Sequence, residues 1–270
     1  MNRLDRIFAR GRKVLVAYLC VGDPSVEESV DLARGCLRAG ADVLELGVPF
    51  SDPTADGPVI ARASQRAIAA GGGLTAALKA ARAIRADAPD AGIVLFGYYN
   101  PIFVRGEARA AGEAADAGVD ALLVVDLPLE DGAALRGAAE QRGVGTVPLL
   151  APTSRTDRVT ATRDVAARSA VPFIYYVSVT GVTGTAALQA GDAGARAAEL
   201  KAQIGRPVVV GFGIDSRAKA RDAARRADGV VVGTALVRAI EQGATPAARR
   251  SAIEALVREL RAGADEASAC

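Results

Sequence analysis

The chain has 270 residues, 50% of them hydrophobic and 24% charged, which is enough for a core of its own and excludes disorder as a description of the whole. Its formal net charge is only +2, so nothing in the charge demands nucleic acid or an anionic membrane. It has no histidine, which removes the commonest general base and nearly all zinc and iron sites.

Eight apolar runs predict strands that are buried on both faces of a parallel sheet. In chain order they are Val14–Val21, Val43–Leu46, Ile93–Phe96, Ala121–Val125, Gly145–Leu150, Phe173–Ser178, Pro207–Val210 and Gly229–Val232. Basic residues before the first run resemble a secretory signal, but the run is short and ends in a Gly22-Asp23-Pro24 turn. A buried first strand is therefore the better interpretation.

Alanine- and arginine-rich stretches with helical spacing separate these runs. The alternation predicts an α/β fold, a single (β/α)8 TIM barrel spanning residues 1–270. A doubly wound sheet is the alternative, but it should carry a GxGxxG turn after the first strand, and Gly22-Asp23-Pro24 is not one. A loose repeat also leads into three of the strands, at residues 39–42, 117–120 and 226–229.

Both ends of the chain carry features outside the repeating pattern. Asn2–Arg10 is expected to form an extra N-terminal helix that caps the barrel floor, and Thr245-Pro246 starts the last helix with a cap. Residues 263–270 are expected to form a frayed tail. The three cysteines lack metal or redox spacing, and their odd number suggests a reducing, cytoplasmic setting.

Glu45 is the most unusual polar residue, because it lies inside the predicted second strand. Alternation puts Val43, Glu45 and Gly47 on one face, taken to be the barrel interior. A carboxyl group there is desolvated, so its pKa should rise and it could exchange protons near neutral pH. The structural alternative is a buried glutamate held by an arginine or by backbone donors.

Other candidates lie at the C-terminal ends of the strands, where barrel enzymes work. Asp52 and Asp56 share the loop above Glu45, and either could be a second carboxylate or a simple turn former. Asp126 could face the barrel mouth or accept backbone N–H bonds, and Tyr175 could face the mouth or the core. Tyr98 and Asn100 close the third strand.

Three glycine-bearing turns follow the last three strands, at residues 180–184, 211–214 and 233–235. Glycine lets backbone N–H groups approach an anion, and barrels often hold phosphate after strands seven and eight. No lysine is placed to form a Schiff base in the mouth. The residues therefore indicate acid–base chemistry by carboxylates on a phosphorylated small molecule, without a metal.

The segment from Leu44 to Pro58, LELGVPFSDPTADGP, resembles the signature of the tryptophan synthase alpha chain. The similarity runs nearly end to end and includes Gly22–Pro24, Gly97–Pro101, Val125–Pro128, Tyr175–Gly184, Gly211–Ile214 and Val232–Ala235. It implies a lyase of aromatic amino-acid (tryptophan) biosynthesis. The reaction it implies is retro-aldol cleavage of indole-3-glycerol phosphate to indole and glyceraldehyde 3-phosphate.

The resemblance also implies roles for particular residues. Glu45, Asp56 and Tyr175 correspond to the catalytic residues. Glu45 would move the protons, Asp56 would stabilise the charged indole ring, and Tyr175 would orient the substrate or a carboxylate. Thr183 falls in the loop that closes over the substrate. The remaining substrate- and phosphate-binding positions are Tyr18, Tyr98, Gly184, Gly213, Gly233 and Thr234.

A partner is implied by the resemblance alone. The family works with a beta chain that carries pyridoxal phosphate, in an alpha2beta2 heterotetramer, whereas the alpha chain itself needs no cofactor. The implied interface comprises Asp52, Pro53, Asn100 and Pro128. Two alternatives stay open: another phosphate-binding TIM-barrel enzyme, and a non-catalytic barrel subunit that activates a partner enzyme.

Overall fold

A computed structural model describes residues 2–177, 190–211 and 213–268. In these ranges the strands are β1 Val14–Cys20, β2 Val43–Gly47, β3 Gly92–Gly97, β4 Ala121–Val124, β5 Gly145–Thr146, β6 Leu149–Leu150, β7 Ile174–Val177, β8 Val208–Gly211 and β9 Gly229–Val232. The helices are α1 Arg3–Phe8, α2 Val26–Arg38, α3 Pro58–Ala69, α4 Leu74–Asp87, α5 Tyr99–Arg105, α6 Glu107–Asp116, α7 Ala133–Gln141, α8 Thr156–Ala166, α9 Ala190–Ile204, α10 Arg217–Ala224, α11 Thr234–Gln242 and α12 Pro246–Ser268.

The strands form one parallel sheet in the order β5-β4-β3-β2-β1-β9-β8-β7-β6. Its two end strands, β5 and β6, are separated in the chain only by Val147 and Pro148. Val147 N donates to Leu122 O on one side, and Pro148 O accepts from Tyr175 N on the other. The sheet therefore closes on itself, and the predicted TIM barrel is confirmed.

The predicted fifth strand, Gly145–Leu150, is divided into β5 and β6. Pro148 lies between the two pieces and has no N–H group to donate to a ladder. A proline in a central strand is tolerated only where the regular pairing is interrupted, and the interruption falls here. The two short strands together occupy the fifth position of the barrel.

Side chains alternate between two cores, as expected for strands covered on both faces. On β1, Val14 and Val16 join an interior cluster, whereas Leu15 and Ala17 pack outward against the helices. On β2, Val43 belongs to the interior cluster and Leu44 to the outer one. Glu45 follows the parity of Val43 and therefore faces the barrel interior.

Helix α1 covers the end of the barrel where the strands begin. The Asn2 side chain caps it by accepting a hydrogen bond from Leu4 N at 2.9 Å. The Asp5 carboxylate accepts one from Asn2 N at 2.9 Å, which completes a capping box. Leu4 and Ile7 are buried in the interior cluster. The expected extra N-terminal helix is confirmed, and it closes the barrel floor.

The loose sequence repeat supplies three aspartates with the same structural role at the barrel floor. Asp42, Asp120 and Asp228 each precede a strand and accept a hydrogen bond from a backbone amide of the preceding neighbouring strand. The donors are Leu15 N at 3.0 Å, Ile93 N at 2.9 Å and Val208 N at 2.9 Å, respectively. Each carboxylate also pairs with a cation, in the pairs Arg261–Asp42, Arg85–Asp120 and Lys201–Asp228. We call these three groups the floor clasps.

The C-terminal helix differs from the expectation of a frayed tail after Gly263. Helix α12 begins at Pro246, as predicted, but continues to Ser268 with Ala264 and Ala267 buried. A Cβ atom on Gly263 would lie 2.2 Å from the Arg217 carbonyl oxygen. Gly263 therefore allows α12 to pass close to α10 and does not end the helix. The fraying prediction was wrong for residues 263–268, and residues 269 and 270 lie outside the described residues.

Candidate active site

A cavity of about 480 Å³ opens at the end of the barrel where the strands finish. Its walls combine inward-facing strand residues with residues of the loops that follow. The described residues that carry the argument below are Tyr18, Glu45, Asp56, Phe96, Leu149, Tyr175, Gly213, Gly233, Thr234 and Arg238. This is the end at which barrel enzymes carry their chemistry.

Glu45 lines the cavity from β2 and is 1% exposed. Within the described residues, its Oε1 atom is buried without a hydrogen-bond partner. An arginine or backbone clamp on that oxygen, the structural alternative, is therefore not observed in this part of the chain. Burial raises the pKa of Glu45 to about 8, so the side chain is mostly protonated at neutral pH and can donate a proton.

Asp56 is the acid of the following loop that reaches the cavity. Its Oδ2 atom accepts a hydrogen bond from the Tyr98 hydroxyl at 3.0 Å. Burial raises its pKa to about 6, and the Tyr98 hydrogen bond opposes that rise. Asp52, by contrast, is exposed and accepts a hydrogen bond from Ser51 Oγ at 2.5 Å. Of the two acids that the sequence left open, Asp56 is the one that lines the cavity with Glu45.

Two tyrosines enter the cavity over glycines on adjacent strands. A Cβ atom on Gly47 would lie 2.5 Å from the Tyr18 hydroxyl, and one on Gly211 would lie 2.2 Å from the Tyr175 hydroxyl. Both glycines therefore make room for an aromatic ring. Burial, reinforced by nearby acidic groups, raises the pKa of both tyrosines well above the ordinary value, so both hydroxyls stay protonated and can donate hydrogen bonds.

The opposite side of the cavity is built from two glycine turns and the start of α11. Gly213 has a φ of 67°, in the left-handed region that glycine adopts without strain. Gly233 is the N-cap residue of α11, and Thr234 is its first residue. A helix start with free N–H groups favours an anion. The predicted positions Thr183 and Gly184 lie outside the described residues.

Five predicted positions lie outside the cavity lining. Asp126 accepts a hydrogen bond from Tyr99 N at 2.7 Å at the start of α5, so it serves the backbone and does not line the cavity. Asn100 lies on α5 and is exposed, like Phe103 and Val104, which are 64% and 77% exposed. Asp52 and Pro128 are also exposed, and Pro53 is half-buried.

Among the lining residues that sequence reasoning missed, three are instructive. Phe96 could have been found from strand parity, because it lies two residues after the interior Val94. Leu149 follows Pro148, where the strand is interrupted, so parity gave no reliable signal. Arg238 lies four residues after Thr234 and therefore on the same helix face, a spacing that would have indicated the cavity.

Within the described ranges, no group of three or more Cys, Asp or Glu side chains is arranged to hold a metal ion. No helix of the described chain is long and apolar enough to cross a membrane. What the cavity does offer is a proton-donating carboxyl group, a second carboxylate, aromatic walls and an anion-binding helix start. Fold and cavity together define an acid–base enzyme of the (β/α)8-barrel class.

The sequence model of a protein family described as "Tryptophan synthase alpha chain" matches residues 4–265 of this chain. The chain belongs to the tryptophan synthase alpha chain family. It is the lyase that cleaves indole-3-glycerol phosphate to indole and glyceraldehyde 3-phosphate in tryptophan biosynthesis.

Individual members of the family are similar to this chain over 90% or more of its length. The tryptophan synthase alpha chain of Citrifermentans bemidjiense is 48% identical over 246 residues, covering 90% of both chains. That of Xanthomonas euvesicatoria pv. vesicatoria is 42% identical over 271 residues, covering 98% of this chain and 100% of the relative. The crystal structure of tryptophan synthase subunit alpha from Legionella pneumophila has a TM-score of 0.88 at 35% identity, covering 98% of this chain and 99% of the other. The predicted family and activity are confirmed.

Proposed function

We propose that Glu45 and Asp56 share the acid–base work of the cleavage. The observation that carries the proposal is the buried Oε1 atom of Glu45, which lines the cavity and has no hydrogen-bond partner in the described part of the chain. The pKa of Glu45 is about 8 and that of Asp56 is about 6. At neutral pH one carboxyl group is therefore mostly protonated and the other mostly ionised, which is the division that an acid and a charge-stabilising partner require.

The first step is protonation of the indole ring. Glu45 donates its proton to C3 of the substrate, and the ring becomes a positively charged indoleninium-like species. The Asp56 carboxylate accepts a hydrogen bond from the ring N–H and stabilises the positive charge that develops there. After this transfer Glu45 is an ionised carboxylate beside the substrate.

The second step breaks the carbon–carbon bond. Glu45 takes the proton of the C3′ hydroxyl, the oxygen electrons form the carbonyl of glyceraldehyde 3-phosphate, and the C3–C3′ bond breaks. Its electron pair returns to the ring, which leaves as neutral indole, and Glu45 is protonated again. One residue can act as acid and base in turn because burial brings its pKa near the working pH.

The remaining site residues hold the two ends of the substrate. Tyr18 packs edge-on against Phe96, with ring centroids 5.3 Å apart, and the two form an apolar wall suited to an indole ring. Tyr175 would orient the substrate with its protonated hydroxyl, and Tyr98 holds Asp56. Gly213, Gly233 and Thr234 would bind the phosphate, together with Thr183 and Gly184.

We further propose a beta chain carrying pyridoxal phosphate as the partner, in an alpha2beta2 assembly. The alpha chain family is consistent with no cofactor in this chain. The proposed interface contains Asp52, Pro53, Asn100 and Pro128, and its support is the exposed pair Phe103 and Val104 on the same helix as Asn100. Large exposed apolar side chains are common at interaction surfaces.

A cytoplasmic location is supported by the free, buried thiols of Cys20 and Cys36.

The deciding experiment is indole release from indole-3-glycerol phosphate by the purified chain, with and without a beta chain. We expect release in both conditions, and faster release with the partner. No release in either condition would favour a non-catalytic barrel subunit. Turnover of a different phosphate ester in its place would favour another phosphate-binding barrel enzyme.

A further inference from the structure

Arg238 is a cation at the phosphate end of the cavity. It lies one helical turn after Thr234 on α11, and both residues line the cavity. Among the described lining residues it is the only cationic one, while Glu45, Asp56 and Asp215 are acidic. Its side chain is exposed at the cavity mouth, where a ligand can reach it.

The guanidinium group of Arg238 makes no ion pair or hydrogen bond within the described part of the chain. Its cationic neighbours on α3 are occupied: Arg62 Nε and Arg66 Nη1 lie 2.9 Å and 2.8 Å from the Glu241 carboxylate. Arg66 also donates two hydrogen bonds of 2.8 Å to the buried Asp23.

Asp215, an acidic residue that also lines the cavity, is paired as well. Asp215 Oδ2 lies 2.8 Å from Lys219 Nζ, an i,i+4 pair at the start of α10. Asp215 therefore already has a cationic partner, and no ion pair joins it to Arg238 among the described residues. Within the described ranges, Arg238 is a charged donor without a partner beside the proposed anion site.

A phosphate ester needs such a group in this cavity. A phosphate monoester carries a charge of about −1.5 to −2 at neutral pH, whereas a helix start offers only about half a positive charge. The ionised Asp56 carboxylate adds repulsion on the far side. A guanidinium fork matches phosphate oxygens in both geometry and charge.

We propose that Arg238 binds the substrate phosphate as its charged side-chain ligand, supplementing the backbone donors of Gly213 and Gly233. The inference rests on the proposed function and deepens it, because it assigns selectivity for the phosphorylated form to one residue. Arg238 acts on binding, and the proton transfers stay with Glu45.

The test compares Arg238→Ala and Arg238→Lys with Arg10→Ala, which removes the same charge from an exposed arginine beside α1 on the barrel floor. Glycerol 3-phosphate is titrated into each purified chain by calorimetry, and KM and kcat for indole release are measured. We expect Arg238→Ala to weaken glycerol 3-phosphate and raise KM by about tenfold, with kcat within about threefold. Arg238→Lys should recover part of the loss, and Arg10→Ala should match the wild type.

The possible failures are distinguishable. Equal affinity and equal KM in wild type and Arg238→Ala would overturn the role of Arg238 and leave the proposed function standing. A loss confined to kcat would also overturn it. A wild-type chain that neither binds glycerol 3-phosphate nor releases indole would overturn both. Because Arg238 is exposed and unpaired among the described residues, an unchanged melting temperature verifies that the variant is folded.

Discussion

The Tyr98 hydroxyl lies 3.0 Å from Oδ2 of Asp56 and donates a hydrogen bond to it. The same hydroxyl oxygen accepts a hydrogen bond from Ala55 N at 3.0 Å. Tyr98 therefore holds the loop that carries Asp56 through both the loop backbone and the Asp56 carboxylate. Because this hydrogen bond opposes the effect of burial on the Asp56 pKa, it helps to keep Asp56 ionised at neutral pH.

The first prediction is a bell-shaped dependence of kcat/KM on pH. The rate should rise as Asp56 ionises near pH 6 and fall as Glu45 loses its proton near pH 8. The profile is measured from initial rates of indole release in buffers of constant ionic strength. A rate that keeps increasing well above pH 8 would mean that protonated Glu45 is not required.

The second prediction concerns Tyr98→Phe. Loss of the hydroxyl removes the group that lowers the Asp56 pKa, so the acidic limb of the profile should move to higher pH. At pH 6 we expect kcat/KM to fall by about two- to tenfold, the usual worth of one hydrogen bond. The profile is recorded on the isolated chain.

Tyr99→Phe is the matched control for Tyr98→Phe. It removes the neighbouring hydroxyl, which donates to Glu107 at 2.9 Å and does not line the cavity. Its acidic limb should coincide with that of the wild type. An equal displacement in both variants would show a general effect of loosening this segment and would remove Tyr98 from the site.

The third prediction is that Glu45→Gln abolishes cleavage but keeps ligand binding. Glutamine has nearly the same shape but cannot donate and retake a proton, so turnover should fall by about a hundredfold or more. Affinity for glycerol 3-phosphate should stay within about twofold of the wild type. Glu259→Gln, a change at an exposed position on α12, is the control. A collapse of affinity in Glu45→Gln would assign Glu45 a structural role.

The fourth prediction links Glu45 to stability. Its pKa is about 8 in the folded chain, above the ordinary value of 4.5 for a free glutamate. Between these values the unfolded chain has lost this proton and the folded chain keeps it, so the contribution to stability falls as pH rises. The melting temperature of Glu45→Gln relative to wild type should therefore increase from pH 5 to pH 8 and level off above. A constant difference across that range would contradict the buried, unpaired carboxyl group.

Strand parity was sufficient to predict the position of Glu45. A period of two is fixed by backbone geometry, so one apolar neighbour such as Val43 determines which way the side chain faces. Asp52 and Asp56 could not be separated in this way, because a loop has no period. What distinguishes them is a contact with Tyr98, a residue of another loop, and only the folded path of both loops shows it.

Gly263 and Pro148 show how the same residue type carries different meanings. Glycine near a helix end usually marks a stop, but Gly263 is needed because Arg217 of another helix passes against it. Proline at 148 interrupts a strand whose apolar pattern is continuous. The effect of each residue on its helix or strand depends on which other segments pack against it. Those segments lie far away in the sequence, so the local pattern does not reveal the effect.

The floor clasps have a consequence for how this barrel can change over time. Asp42, Asp120 and Asp228 fasten neighbouring strands at the end opposite the cavity. The fastening of the barrel is thus physically separate from the loops that contact the substrate. Insertions and substitutions in the loops around the cavity can therefore change specificity without weakening the pairing of the strands. Substitution of any of the three aspartates would weaken that pairing.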